Sequence, residues 1–245
     1  MAQDYRTPYR VGAGSAAEID RGLRSHMLHV YNYMASGVLL TGIIALVFAH
    51  LAVSDGQITS VGQAIYLSPL KWLVMFSPLA MVMVMSFGLN KLSLFALQAC
   101  FWVFAGLMGV SLSSIFLAFT GESIARVFFI TAASFGALSL YGYTTKKDLS
   151  GWGSFLFMGL IGIVIASLVN LFLGSTMLQF AISVIGVLVF AGLTAYDTQK
   201  IKELYYANLG HEAMAKLSIM GALRLYLDFI NLFLMLLRLF GSSRN

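Results

Sequence analysis

Leu225-Tyr226-Leu227-Asp228-Phe229-Ile230-Asn231-Leu232-Phe233-Leu234-Met235-Leu236-Leu237 is an apolar run interrupted by one carboxylate. It lacks the alternation of a half-buried strand and is rich in Leu, Phe and Met. The apolar segment around it extends over 217–240. A helix needs about 20 mainly apolar residues to cross the hydrocarbon core. In lipid a continuous run satisfies its backbone groups internally, as a helix. The segment therefore reads as a membrane span, and Asp228 as a charge lying inside it.

The rest of the chain has the same character. Of 245 residues, 59% are hydrophobic and 10% charged, against about 45–50% and about 25% in soluble domains. This composition excludes a soluble globular enzyme, and disorder, which requires low hydrophobicity. The single cysteine, Cys100, excludes a disulfide scaffold and a Cys-rich metal site. No charged residue lies between Arg24 and Asp55, Lys71 and Lys91, Lys91 and Glu122, or Arg126 and Lys146. A longer gap, from Asp148 to Asp197, holds two spans with a turn at Gly174-Ser175-Thr176. The expected fold is an all-α integral membrane protein with seven transmembrane helices. The spans fall near 31–52, 71–90, 93–119, 124–143, 152–173, 177–198 and 217–240. Residues 1–25 form an N-terminal tail, loose or amphipathic, and 26–240 the seven-helix domain. Residues 241–245 form a short C-terminal tail, and a short helix is expected near 201–209. Gly37, Gly42, Gly106, Gly109, Gly159, Gly162, Gly186 and Gly192 are read as packing faces of a monomeric bundle rather than a dimer interface.

Lys and Arg set the orientation. With the N-terminus cytoplasmic, eleven of them (Arg6, Arg10, Arg21, Arg24, Lys91, Lys146, Lys147, Lys200, Lys202, Lys216 and Arg224) fall inside. Four (Lys71, Arg126, Arg238 and Arg244) fall outside. An odd number of spans then places the C-terminus outside, unless the seventh span re-enters without crossing. The net charge of +5 is spread along membrane flanks and gives no sign of a nucleic-acid partner.

Two charges are poorly explained by topology. Asp197 ends span six, and Asp228 lies about 18 Å along the helix beyond Lys216. A carboxylate at such depth must be paired, hydrated or protonated. Spans six and seven are consecutive, so the two carboxyls can meet. Two such groups in contact share a proton and titrate as a unit, which makes a pH-sensitive latch. Their oxygens also suit Ca²⁺, a hard cation, as a transient metal site. Arg224 precedes Asp228 by four residues on the same helix face and can neutralise it locally. Tyr196, Tyr226 and Asn231 are candidate hydrogen-bond supports. His26, His29, His50 and His211 are dispersed, and the chain has no H-E-x-x-H, P-loop, G-x-S-x-G or GxGxxG motif. Neither aspartate sits in a Gly-x-Gly-Asp pattern. No catalytic residues, no required cofactor and no enzymatic activity are expected.

Ala195-Tyr196-Asp197-Thr198-Gln199-Lys200-Ile201 and Leu225-Tyr226-Leu227-Asp228-Phe229-Ile230-Asn231-Leu232-Phe233 resemble the Bax inhibitor-1 family in its bacterial branch, over roughly residues 20–240. The resemblance implies a seven-helix membrane fold with the C-terminal helix central. It also implies a pH-sensitive calcium leak in the bacterial inner membrane, with a di-aspartyl sensor at Asp197 and Asp228 controlling the cytoplasmic side. Some relatives latch this pair with an arginine in helix two. Here 72–90 carries no charge, so Lys91 and Arg224 are the candidate cationic latch. The alternative function is a non-transporting regulator that binds a membrane protease or other membrane proteins, as some bacterial relatives do. The partners expected are Ca²⁺, protons and membrane lipid.

Overall fold

The computed structural model describes residues 13–54, 56–205 and 210–244, with side chains from Asp20 onward. Seven long helices follow in order: α1 Ala13–Ala52, α2 Leu70–Gly88, α3 Leu94–Leu112, α4 Gly121–Thr144, α5 Ser150–Leu173, α6 Thr176–Glu203 and α7 His211–Phe240. All seven are long and apolar enough to cross a membrane. The charge gaps thus located the first six spans, and the apolar run 217–240 the seventh.

The helix ends follow from local chemistry. Ser93, Thr120 and Ser175 each accept a hydrogen bond from the backbone N–H three residues on, satisfying one of the orphan donors at a helix start. Gly174 takes a left-handed φ of 60° and stops α5, so only Gly174 and Ser175 separate α5 from α6. A two-stranded hairpin, β1 Val53–Ser54 against β2 Gln57–Ile58, follows α1. A short helical turn at Ser60–Gly62 and a π-helical turn at Gln63–Leu67 then lead into α2.

Two boundaries and the role of two glycines differ from expectation. Of the tail assigned to 1–25, residues 1–12 lie outside the described residues. From Ala13 the chain is already helical and runs unbroken into the first span, because no proline interrupts it. No separate helix starts at 201: α6 continues to Glu203, and 206–209 lie outside the described residues. Gly42 and Gly162 face open space, whereas Gly37, Gly109, Gly159, Gly186 and Gly192 each meet a neighbouring helix within the bundle.

α7 is the central helix. In its apolar window 72% of residues are buried, compared with 33% or less in the other six. α1, α3, α4 and α6 pack around it, while α2 leans on α3 and α5 on α6. Lipid tails are as apolar as leucine, so close packing rather than hydrophobic exclusion holds such a bundle together. Tyr226 and Phe104 meet edge-on at 5.0 Å, and Phe229 packs edge-on against Phe128 and Phe135, each at 5.5 Å. α7 has 30 residues, about 45 Å of helix, more than the roughly 30 Å hydrocarbon core. Its end reaches the segment before α4: the Thr120 N–H donates to Ser242 O and the Arg244 N–H to Ala118 O. Its start lies at the opposite face, where Ser218 meets His26 of α1 at 2.9 Å. The seventh helix therefore runs through the bundle from one end to the other.

Candidate functional site

Asp197 stands near the end of α6 and Asp228 near the middle of α7, two helices packed along each other. Their antiparallel course brings the carboxyl groups together. Both residues line the same cavity. Asp228 is 5% exposed, and its Oδ2 has no hydrogen-bond partner among the described residues. Asp197 is half-buried. The pair borders a cavity of about 610 Å³ between α5, α6 and α7, whose polar lining includes Tyr196, Arg224 and Asn231.

The electrostatics around the pair are sparse. Arg224 lines the same cavity as both carboxyls. It is exposed at the cavity's rim and makes no ion pair with either within 4 Å among the described residues. A buried carboxylate left without a direct counter-ion favours sharing a proton, because uncompensated burial of charge costs several kcal/mol.

The expected supports divide by helix face. Tyr196 lines the cavity and lies against Gly153 of α5, where a Cβ would stand 2.6 Å from its Oη. Any larger residue at position 153 displaces that ring. Asn231 also lines the cavity and donates from Nδ2 to Leu227 O at 2.8 Å. Tyr226 points away. Its hydroxyl meets Thr41 Oγ1 at 2.7 Å, and Thr41 Oγ1 donates to Ala105 O at 2.8 Å. Thr41 has one hydroxyl proton, so Tyr226 is the donor to it. Residues two apart on a helix do not share a face, which is why Tyr226 does not join Asp228. Lys91 is exposed in the turn between α2 and α3 and is not part of the cavity lining.

Sequence reading missed a second polar line. Thr198 Oγ1 donates to Thr194 O at 2.7 Å and lies 2.8 Å from Ser139 Oγ, which lies 3.0 Å from Tyr31 Oη. With one proton per hydroxyl, the chain runs from Tyr31 to Ser139 to Thr198 to the Thr194 carbonyl. It ties α1 and α4 to α6 beside Asp197. Gln199 adds a clamp: its Nε2 donates to Lys147 O, and its Oε1 accepts from the Leu149 N–H, both at 2.8 Å. The visible signal was Thr194 and Thr198 four apart on one face of α6.

The sequence profile of the family described as inhibitor of apoptosis-promoting Bax1 matches residues 23–245. The chain belongs to the Bax inhibitor-1 family. Among its relatives, an uncharacterised protein of Rickettsia prowazekii is 50% identical over 226 residues, 92% of this chain and 93% of that one. An uncharacterised protein of Caulobacter vibrioides is 47% identical over 229 residues, 92% of each chain. The inner membrane protein YbhL of Escherichia coli K12 is 49% identical over 231 residues, 91% of this chain and 94% of YbhL. The membership that the two aspartate segments suggested is thus shown across nearly the whole chain. This Bax inhibitor-1 family protein is a membrane protein in which Asp197 of α6 and Asp228 of α7 line one cavity.

Proposed function

We propose that the protein is a proton-gated leak pathway for Ca²⁺ in a bacterial inner membrane. Its amino terminus is cytoplasmic and its carboxyl terminus periplasmic. The reading rests on one observation above all: a nearly buried aspartate with an unpartnered oxygen faces a second aspartate at the wall of a cavity. One shared proton joins α6 to α7 and closes the path. Its loss leaves two like charges in contact, which repel one another or recruit a cation. Ca²⁺ takes carboxylate, amide and hydroxyl oxygens. Asp197, Asp228, Asn231 and Tyr196 supply these around the cavity, a set sparse enough for passage rather than storage. Arg224, at the rim, is the cation best placed to compete for the carboxylates. Ca²⁺ is cargo, protons are the signal, and no cofactor or catalytic residue takes part. The inner-membrane placement follows the description of YbhL; the orientation follows the eleven-to-four distribution of basic residues.

The test is Ca²⁺ flux into dye-loaded proteoliposomes across a pH series, comparing wild type with Asp197→Asn and Asp228→Asn. The expected result is a pH-dependent flux in wild type that becomes pH-independent in both variants. An unchanged pH response in both variants refutes the latch. Absence of flux from purified wild type, with a stoichiometric membrane protein captured in mild detergent, favours the regulatory alternative.

A further inference from the structure

A groove lies on the side of the bundle formed by α1 and α4. Both helices pack on α7 but diverge from each other. Between them lies a space of about 750 Å³, and a second space of about 290 Å³ continues the same cleft beyond Val38, Phe128 and Phe229. Met34, Phe135 and Phe229 form its buried floor, and Leu28, Leu39 and Leu140 form rims that are 51%, 65% and 62% exposed. The groove is open at the bundle's surface, between two helices long and apolar enough to cross a membrane.

Its polar groups are confined to one end. Arg24, Tyr31, Ser139 and Tyr143 stand there, and no acidic residue is part of the lining. Arg24 is exposed and makes no ion pair among the described residues. Lys202 is not part of the lining: its Nζ is turned onto Tyr143, donating to Tyr143 O at 2.7 Å and lying 5.2 Å from the ring centre, which leaves Arg24 as the cation of the mouth. From Arg24 to Val38 the groove follows about 21 Å of α1, enough to reach from the headgroup level past one leaflet's roughly 15 Å of hydrocarbon.

We infer that this groove is a binding site for one anionic phospholipid, with an acyl chain between α1 and α4 and the phosphate at Arg24. An apolar slot of monolayer depth with a cationic, hydroxyl-bearing mouth complements that class of molecule at both ends. A basic residue at the membrane surface favours anionic over zwitterionic lipid. The inference is independent of ion conduction, since none of its groups belongs to the aspartate pair.

The test reconstitutes the full chain into vesicles of equal parts phosphatidylglycerol and phosphatidylcholine, transfers it to mild detergent, and counts retained lipids by native mass spectrometry. Wild type is expected to retain one phosphatidylglycerol per chain, about fivefold over phosphatidylcholine. Arg24→Gln brings the two lipids to parity, and Arg24→Lys keeps the preference. Gly136 lines the groove, and a Cβ there meets nothing within 4 Å. Gly136→Leu therefore fills the slot and reduces retention of both lipids. If Gly136→Leu does not fold, the two Arg24 variants decide alone. Equal retention of both lipids by wild type overturns the inference. So does a preference that survives Arg24→Gln, or displacement of the lipid by inorganic phosphate.

Discussion

Two glycines of α4 make a matched pair for testing how the aspartates are held. A Cβ at Gly142 falls on the carbonyl oxygen of Ala195, two residues before Asp197; a Cβ at Gly136 meets nothing within 4 Å. Carbon and carbonyl oxygen settle at about 3.3–3.6 Å, so Gly142→Ala forces α4 and α6 apart by on the order of 1 Å. The obstacle is backbone, which cannot swing aside as a side chain can. Overpacking of this kind costs about 1–3 kcal/mol, and replacing glycine in a helix returns up to about 1 kcal/mol. Taking the upper end for a backbone obstacle, the net loss is about 2 kcal/mol, or about 4–8 °C in Tm at 2–4 °C per kcal/mol. Gly136→Ala carries no such obstacle and leaves Tm unchanged or slightly raised. The assay is thermal unfolding of both variants in one detergent, followed by intrinsic fluorescence, with Ca²⁺ flux measured on the same preparations. Gly142→Ala should also shift the pH response, because the displaced carbonyl lies on the turn that carries Asp197. Equal Tm values for the two variants would refute the claim that the α4–α6 contact sets the position of Asp197.

Two further outcomes follow from individual contacts. Removing the Tyr226 hydroxyl by Tyr226→Phe leaves Thr41 bonded to Ala105, and costs about 0.6 kcal/mol, the average for hydrogen bonds between membrane helices. Thr41→Val strands the buried Tyr226 hydroxyl and costs about 1–3 kcal/mol, so Thr41→Val should show the lower Tm of the two. Outside the spans, the Ser150 hydroxyl and the Ser150 N–H, the latter donating at 2.8 Å, hold the Asp148 carboxyl below its ordinary range. A depressed carboxylate stabilises the fold above its unfolded pKa of about 3.9, and that contribution is lost as pH falls through the lower folded value. Asp148→Asn should therefore lower Tm at neutral pH, and its Tm should converge with wild type as pH falls below the ordinary carboxylate range, in a pH-resolved melting series.

Six spans were legible because charge is expensive in hydrocarbon, so their apolar stretches fill gaps between charges; the seventh was legible as an apolar run despite Arg224 and Asp228. The aspartate pair was legible for the same reason, since Asp228 lies where topology offers no excuse for it. What the sequence hid depends on distances between helices. Tyr226 was grouped with Asp228 by proximity in the chain, although a two-residue offset turns it toward Thr41. Arg224 shares a face with Asp228, but it reaches the cavity's rim rather than a direct ion pair. The line from Tyr31 through Ser139 to Thr198 joins residues of three helices, and no local pattern announces which hydroxyls will meet. Gly142 was not among the expected packing glycines, while Gly42 was, and the structure reverses their roles.

The position of α7 carries a consequence for how the molecule is made. The most enclosed helix leaves the ribosome after the other six. During synthesis α1 to α6 enter the membrane before their common centre exists, so they must wait as a loose, unfilled ring. At about 5–20 residues per second, the 30 residues of α7 take about 2–6 s to emerge. Asp228 has no partner aspartate until α7 meets α6. Insertion of the keystone and assembly of the carboxyl pair are thus a single event, and a chain cut short before α7 has neither a centre nor an aspartate pair.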